Sequence, residues 1–434
     1  MLLNLLKSFS FLAIIFLFLG TAVQGNNDDH LLNIYQTLHQ KPELAFQEKN
    51  TSKLIATELK KLGYEVTEHV GGYGVVGILK NGLGPTILLR ADMDALPVKE
   101  ETNLPYASKI RMKDNNGQEI GLMHACGHDV HTTVLIGTAE ELIKQKANWK
   151  GTLILVAQPA EEIGAGAKRM IQDGLFTRFP KPDYALALHV DATLPAGKLG
   201  VVEGYAMANV EDFDIIVHGI GGHGGSPHLT KDPIVLTAQI ILGLQTIISR
   251  ETPPGEPAVI TIGAVNGGTK SNVIPDQVVL KVNVRSYSDE MRFKLLDSIK
   301  RITSNQARAA GIPENLLPTF TTDQDFAPAL WNEPNLTKKV KEIFITKFGT
   351  ENVIDKKPAL AGEDFGHFGR TSEKIPICFF WLGAVDPIQY QQSKDNKTNL
   401  PTLHSSKFAP SANSTIKTGV QAMTTAVLNL APTK

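Results

Sequence analysis

Only two cysteines, Cys126 and Cys378, occur in 434 residues, so a disulfide framework cannot be what holds this chain together. Charge of one sign is missing as well. There are 43 basic and 44 acidic residues, a net charge of −1, and no long run of either kind, which excludes the basic patch that a nucleic acid or an anionic membrane surface would need. Internal repeats and low-complexity tracts are absent, which excludes solenoids and arrays. What is present is ordinary: 42% hydrophobic and 20% charged residues, in a chain too long for one typical domain. Two or three domains and a neutral-surfaced enzyme for small molecules fit that composition.

Residues 1–25 differ from the rest. Lys7 precedes an apolar run from Phe9 to Leu19, and small residues follow through Gly25. This reads as a signal peptide cleaved after Ala22 or Gly25, and the mature chain is expected to be periplasmic or secreted, with no membrane contact after cleavage. The competing reading is a membrane anchor, for which the run is shorter than the roughly 20 residues that a spanning helix needs.

The densest chemistry lies at His124-Ala125-Cys126-Gly127-His128-Asp129-Val130-His131, ahead of a helical pattern from Thr132 to about Gln145. Imidazole, thiolate and carboxylate are the ligands of zinc, manganese, cobalt and nickel, and Cys-x-His lets two of them converge at a bend. His131, three residues after His128, falls one helical step along the same face and is read as supporting the site from behind. A buried free cysteine beside a capping histidine is the bland alternative, and a Cys126–Cys378 bridge is another. Cys378 lies in the apolar run Ile375 to Leu382, which reads as a buried strand.

Strand patterns at 65–69, 74–79, 86–90, 152–157 and 184–188 alternate with helical patterns at 28–38, 46–62, 132–145 and 166–172. The expected fold is α/β, a catalytic domain with a central, mostly parallel sheet flanked by helices. Asp92, Glu161, Glu162 and His189 each follow the end of an expected strand, where ligands gather in such sheets. From 211 to 322 the order becomes β-α-β-β-α with a possible last strand. This predicts an inserted ferredoxin-like α+β unit, a lid and dimerisation domain, between catalytic segments 26–210 and 323–434. Adjacent glutamates leaving a strand point in different directions. One of Glu161 and Glu162 can therefore ligate metal while the other reaches the bound water.

Seven segments in this order, Arg90-Ala91-Asp92-Met93-Asp94-Ala95-Leu96-Pro97, Met123 to Asp129, Gln158-Pro159-Ala160-Glu161-Glu162, Gly221-Gly222-His223-Gly224, Asn272 to Asp276, Gly362-Glu363-Asp364-Phe365 and Leu403-His404, resemble the dinuclear metallo-amidohydrolase family. The branch is that of hippurate hydrolase, N-acyl-amino-acid amidohydrolases and indole-acetyl-amino-acid hydrolases. The resemblance implies two divalent ions per subunit, Mn2+ or Zn2+ before Co2+ or Ni2+, held by Cys126, His128, Glu162, His189 and His404. Cys126 would bridge, Glu161 would be the general base, and Asp92 would orient a ligand. Related aminoacylases and carboxypeptidases have a ligand histidine where this chain has Arg90, which favours the amidohydrolase branch. Val130 stands where glycine is common.

By the same resemblance His223 stabilises the tetrahedral oxyanion, in some members from the partner subunit, and Asn272 and Arg285 are candidates for the substrate's carboxylate or oxyanion. A turn histidine without a role and a structural ion pair for Arg285 remain open alternatives. His124 is read like His131, while His218, His228 and His367 are read as structural and His30, His39 and His69 as surface residues. Glu363 and Asp364 match the motif without a firm role. The expected activity is hydrolysis of N-acyl amino acids, with a carboxypeptidase or dipeptidase as the alternative. An exported binding protein without catalysis is a third reading, against which the retained Glu161 speaks. The expected partners are a small-molecule N-acyl amino acid and, through the inserted domain, a second copy of the chain, with no nucleic acid.

Overall fold

The apolar strand ending in Gln158 lies beside the one ending in Asp92, and this pair sets the frame for everything else. In a computed structural model, which describes residues 29–114, 116–322 and 326–433, Thr86–Asp92 pairs in parallel with Gly151–Gln158 on one side and Tyr184–Pro195 on the other. Ile377–Val385 adds a further parallel neighbour to Tyr184–Pro195. These four central strands are almost wholly buried, as expected of strands covered on both faces. Outer strands complete an eight-stranded sheet in the order 65–70, 74–81, 151–158, 86–92, 184–195, 377–385, 199–201, 353–355. The signal-peptide expectation falls outside the described residues.

Helices cover the sheet. His128–Lys144 and Ala412–Leu430 pack together on one face, with Val134, Ile136, Val420 and Met423 in the core beneath them. The first of these starts at His128, four residues before the apolar periodicity begins, because Gly127 adopts φ 81° and ends the preceding turn. A side chain there would be doubly disfavoured, since a Cβ would stand 2.5 Å from Val190 Cγ2. Both cysteines are free and buried, and Cys378 is a core residue of its strand.

One expectation needs correcting. His189 does not follow a strand end but lies inside Tyr184–Pro195, opposite Trp381. The physical reason is asymmetric pairing. Thr86–Asp92 stays in register only as far as Arg90 opposite Ala187, whereas Ile377–Val385 continues alongside to Pro195. Beyond Ala187 the strand is therefore open on one side, and His189 stands where the sheet parts.

A second sheet is wholly antiparallel, in the order 258–267, 277–286, 209–218, 319–321. Helices Pro233–Thr246 and Asp289–Ala309 pack against it through Leu236, Ile240, Leu244, Leu295 and Ile299. This is the β-α-β-β-α-β order of a ferredoxin-like unit. Asp232 and Ser288 cap the two helices, accepting from Ile234 N–H and Met291 N–H respectively. Two chain crossings join this unit to the larger sheet, and they lie side by side: Val210 and Ala327 exchange both backbone hydrogen bonds.

Candidate metal centre

Cys126, His189 and His404 reach one point from three directions: the turn before a helix, a strand, and a loop 278 residues after the cysteine. Cys126 Sγ lies 3.4 Å from His189 Nε2 and 3.3 Å from His404 Nε2. His404 Nε2 is also 3.5 Å from Glu162 Oε2, and His128 Nε2 is 3.9 Å from Glu162 Oε1. Ligand atoms around a shared cation at about 2.0–2.3 Å stand roughly 3.3–3.8 Å apart, so this spacing suits coordination.

The nitrogens that face the centre are the free ones. His128 Nδ1 donates to Asp94 O at 2.9 Å and His189 Nδ1 donates to Val190 O at 2.8 Å, which leaves each Nε2 as the acceptor lone pair. His128 Nε2 and Glu162 Oε1 are buried and have no hydrogen-bond partner. Orphans of this kind are costly unless something else satisfies them. His131 differs. Its Nδ1–H donates to Asp92 Oδ1 at 2.5 Å while its Nε2 accepts from Val190 N–H at 2.9 Å, so neither nitrogen is available to a cation. Burial keeps this ring neutral, pushing its pKa down to about 3. Its place is behind Asp92, whose own charge is kept well below the ordinary carboxylate range by His128, His131 and Arg90 against the effect of burial.

Charge makes the same point. The carboxylates of Asp92, Asp94, Glu161, Glu162, Glu363 and Asp364 crowd one buried region. Arg90 alone among these groups carries a permanent positive charge. Its NH1 donates to Asp92 Oδ2 at 2.7 Å, its NH2 lies 2.9 Å from both Glu363 Oε1 and Asp364 Oδ1, and its Nε donates to Gln158 Oε1 at 3.0 Å. Burial and the neighbouring charges of Glu363 and Glu162 push Glu161 well above the usual carboxylate range. Burial raises Glu162 to about 7 and Asp364 to about 7. Burial and the Glu162 charge likewise raise the Cys126 thiol. A thiolate and several carboxylates are stable together here only if cations neutralise them, and the soft and borderline donors present fit divalent transition metals.

Several of these neighbours carried no assigned role in the sequence. Glu363 and Asp364 are Arg90's partners, brought to it across 273 and 274 residues. Asp94 binds the backbone of both glutamates, accepting from Glu161 N–H at 3.1 Å and Glu162 N–H at 3.0 Å. His39, expected at the surface, is 1% exposed. It bonds Asp129 Oδ2 at 2.7 Å and Glu100 Oε1 at 3.1 Å, and so braces the cysteine turn from the far side. Burial opposes its charge, but these two carboxylates prevail and raise it to about 9. His124 is buried as well, and burial lowers it to about 4.

The centre opens into a cavity of about 680 Å³ whose lining includes Cys126, Glu161, His189, Arg285, Trp381 and His404. Arg285 reaches it from the second sheet, its guanidinium held by Asn283 Oδ1 at 2.8 Å and Leu360 O. An ion pair was the alternative for this residue, and both of these partners are neutral. His223 and Asn272 are elsewhere. They lie at a small two-stranded sheet of segments far apart in sequence, Gly222–His223 and Val273–Ile274, where His223 pairs with Val273 and Gly224 N–H donates to Asn272 O at 2.9 Å. Both are exposed and neither lines the cavity.

The pattern of peptidase family M20/M25/M40 matches residues 88–406. Hippurate hydrolase of Campylobacter jejuni is 42% identical over 340 residues, 77% of this chain and 84% of that protein. Thermostable carboxypeptidase 1 of Saccharolobus solfataricus is 38% identical over 385 residues, 88% of this chain and 90% of that one. N-acetylcysteine deacetylase of Bacillus subtilis is 37% identical over 357 residues, 82% of this chain and 88% of that one. Among solved structures, the Bacillus subtilis YXEP protein, described as a dinuclear metal binding peptidase, superposes with a TM-score of 0.75 at 31% identity. The match covers 94% of this chain and 99% of that one.

Proposed function

Since this chain belongs to peptidase family M20/M25/M40 and is a metal-dependent hydrolase, we propose that it hydrolyses the amide of N-acyl amino acids to a carboxylate and a free amino acid. The observation that carries this reading is the ring of buried carboxylates, thiol and imidazoles that opens into a small-molecule cavity. Cys126, His128, Glu162, His189 and His404 would hold two divalent ions, with Cys126 between them. Such ions, when bound, lower the pKa of a water and polarise an amide carbonyl.

Glu161 supplies the proton transfers. Its carboxylate, on the same turn as Glu162, lines the cavity, with Oε2 3.9 Å from His128 Nε2. It takes the proton of the attacking water and returns it to the departing amine. Glu363 and Asp364, tied to Arg90, surround it with negative charge and so favour its protonated form between these two steps. Arg285 holds the carboxylate of the substrate, for which a guanidinium offers a two-pronged fork. Replacing it with alanine raises KM more than it lowers kcat.

His223 acts on the oxyanion, and its distance from its own chain's cavity favours delivery from a partner subunit, with Asn272 beside it. The exposed apolar residues Ile234, Val235 and Leu242 and the unpaired outer edge of strand Ala258–Gly267 belong to the same unit and offer a surface for that partner. Export fits the N-terminal segment, and secreted or periplasmic protein is the expected location.

A carboxypeptidase or dipeptidase is the second reading, favoured by the likeness to the thermostable carboxypeptidase of Saccharolobus solfataricus. The test is kcat/KM for hippurate, N-acetylmethionine and a dipeptide panel. The proposal expects the N-acyl amino acids to lead. Peptides turned over at least tenfold faster would replace it with the second reading.

A further inference from the structure

The two glutamates leave one turn, and three consecutive amides of that turn are each bound to a carboxylate. Ala160 N–H donates to Glu48 Oε1 at 2.8 Å, Glu161 N–H to Asp94 Oδ1 at 3.1 Å, and Glu162 N–H to Asp94 Oδ2 at 3.0 Å. The turn has reason to need holding. Ala160 sits at φ 52°, a left-handed conformation that costs a non-glycine residue on the order of 1 kcal/mol or more. Its carbonyl closes the turn by accepting from Ala165 N–H and Gly166 N–H.

Glu48 is an expensive choice for this duty. It is fully buried, it precedes helix Lys49–Lys61, and its only side-chain hydrogen bonds among the described residues are to Phe46 N–H and Ala160 N–H, both through Oε1. Oε2 is buried and has no partner. A carboxylate that binds two amides through one oxygen and leaves the other unmet, beside the Asp94 charge, gains little stability for its desolvation. We propose that Glu48 is a positioning residue, which with Asp94 locks the 160–162 turn so that Glu161 faces the reacting water while Glu162 faces the metal. This rests on the roles given above to the two glutamates.

Asp94 also carries the carbonyl that orients His128, so changing it disturbs more than one thing. Glu48 hydrogen-bonds to backbone alone and gives the cleaner test. Glutamine at this position keeps an acceptor oxygen for both amides and places its NH2 where Oε2 meets no donor. It also mimics the protonated acid, a form that burial brings within reach by raising the group to about 7.

The experiment compares Glu48→Ala and Glu48→Gln with the wild-type holoenzyme by hydrogen–deuterium exchange, metal content, kcat and KM on an N-acyl amino acid. For Glu48→Ala the expected result is exchange at least tenfold faster in the peptide covering 158–166. Its kcat falls about tenfold to a hundredfold, as misplacing a reacting group does, while KM and metal content stay within twofold. Glu48→Gln should match wild type in all four. A purely structural Glu48 would lower the melting temperature of Glu48→Ala and leave kcat per metal-loaded chain unchanged, and that result overturns the proposal. So does unchanged exchange at 158–166, or a Glu48→Gln as impaired as the alanine. Glu161→Gln is run alongside. If it keeps its turnover, the base assignment fails, while the exchange data on Glu48→Ala still decide whether the turn is held.

Discussion

Around Cys126, side chains from distant segments of the larger sheet meet within 3.3–3.9 Å, mostly buried and braced from behind by Asp92, Asp94 and His131. Beside the second sheet His223 and Asn272 stand exposed at a small two-stranded sheet and meet none of them. The first region is finished within one chain. It has an excess of negative charge that calls for cations, and its ligand-bearing turns are fixed by local backbone geometry, with Gly127 at φ 81°, Ala160 at φ 52° and His404 at φ 65°. Under the proposed function the second region would be completed by movement or by another copy of the chain, since neither residue lines the cavity. Binding of metal and completion of the catalytic set are thus separable properties, and variants in the two regions should differ accordingly.

The largest effect is expected from the base. Glu161→Gln should lose at least roughly a hundredfold in turnover with metal content intact. Glu162→Ala should instead lose metal, and equal metal content with wild type would mean that the two glutamates have exchanged roles. Next comes the second region. His223→Ala should lower kcat on the order of a hundredfold with both metals retained, the usual loss of one oxyanion donor. Mixing it with inactive Glu161→Ala should restore part of the activity, because each hybrid dimer carries one site with both groups. Hybrids that form and stay inactive would place the histidine within its own chain or outside the mechanism.

The smallest effect sharpens the first region from behind. His39 titrates at about 9 in the folded protein against an ordinary 6.5, so the stability it draws from Asp129 and Glu100 is complete below about 6.5 and is lost as pH rises through 9. Unfolding of the wild type should therefore lose on the order of 2 kcal/mol between pH 7 and 10 that His39→Gln does not lose. Parallel pH profiles for the two proteins would remove His39 from the account.

The cluster around Cys126 and the glutamate pair were legible in the sequence because thiol and imidazole so close together are rare, and because Glu161 and Glu162 follow an apolar strand; the set of five proposed ligands came from the resemblance. The ferredoxin-like order was legible for a similar reason, since its long strands and helices have clear periodicity. Strands of three or four residues, such as Leu199–Val201 and Gly204–Met207, have too few positions to show a period. His189 was misplaced because a strand's end depends on its neighbours' register, which no single segment records. Arg90's ring and the His39–Asp129 contact, 90 residues apart, are tertiary facts. Nothing local at His39 distinguishes it from a surface histidine.

The central claim is that a charge-excessive centre within a single chain holds two cations through Cys126. Elemental analysis of metal-saturated, desalted wild type, Glu161→Gln and Cys126→Ala tests it most directly. The account predicts two divalent ions per chain in the first two proteins and no more than one in the third. One ion or none in the wild type, or two in Cys126→Ala, would contradict it.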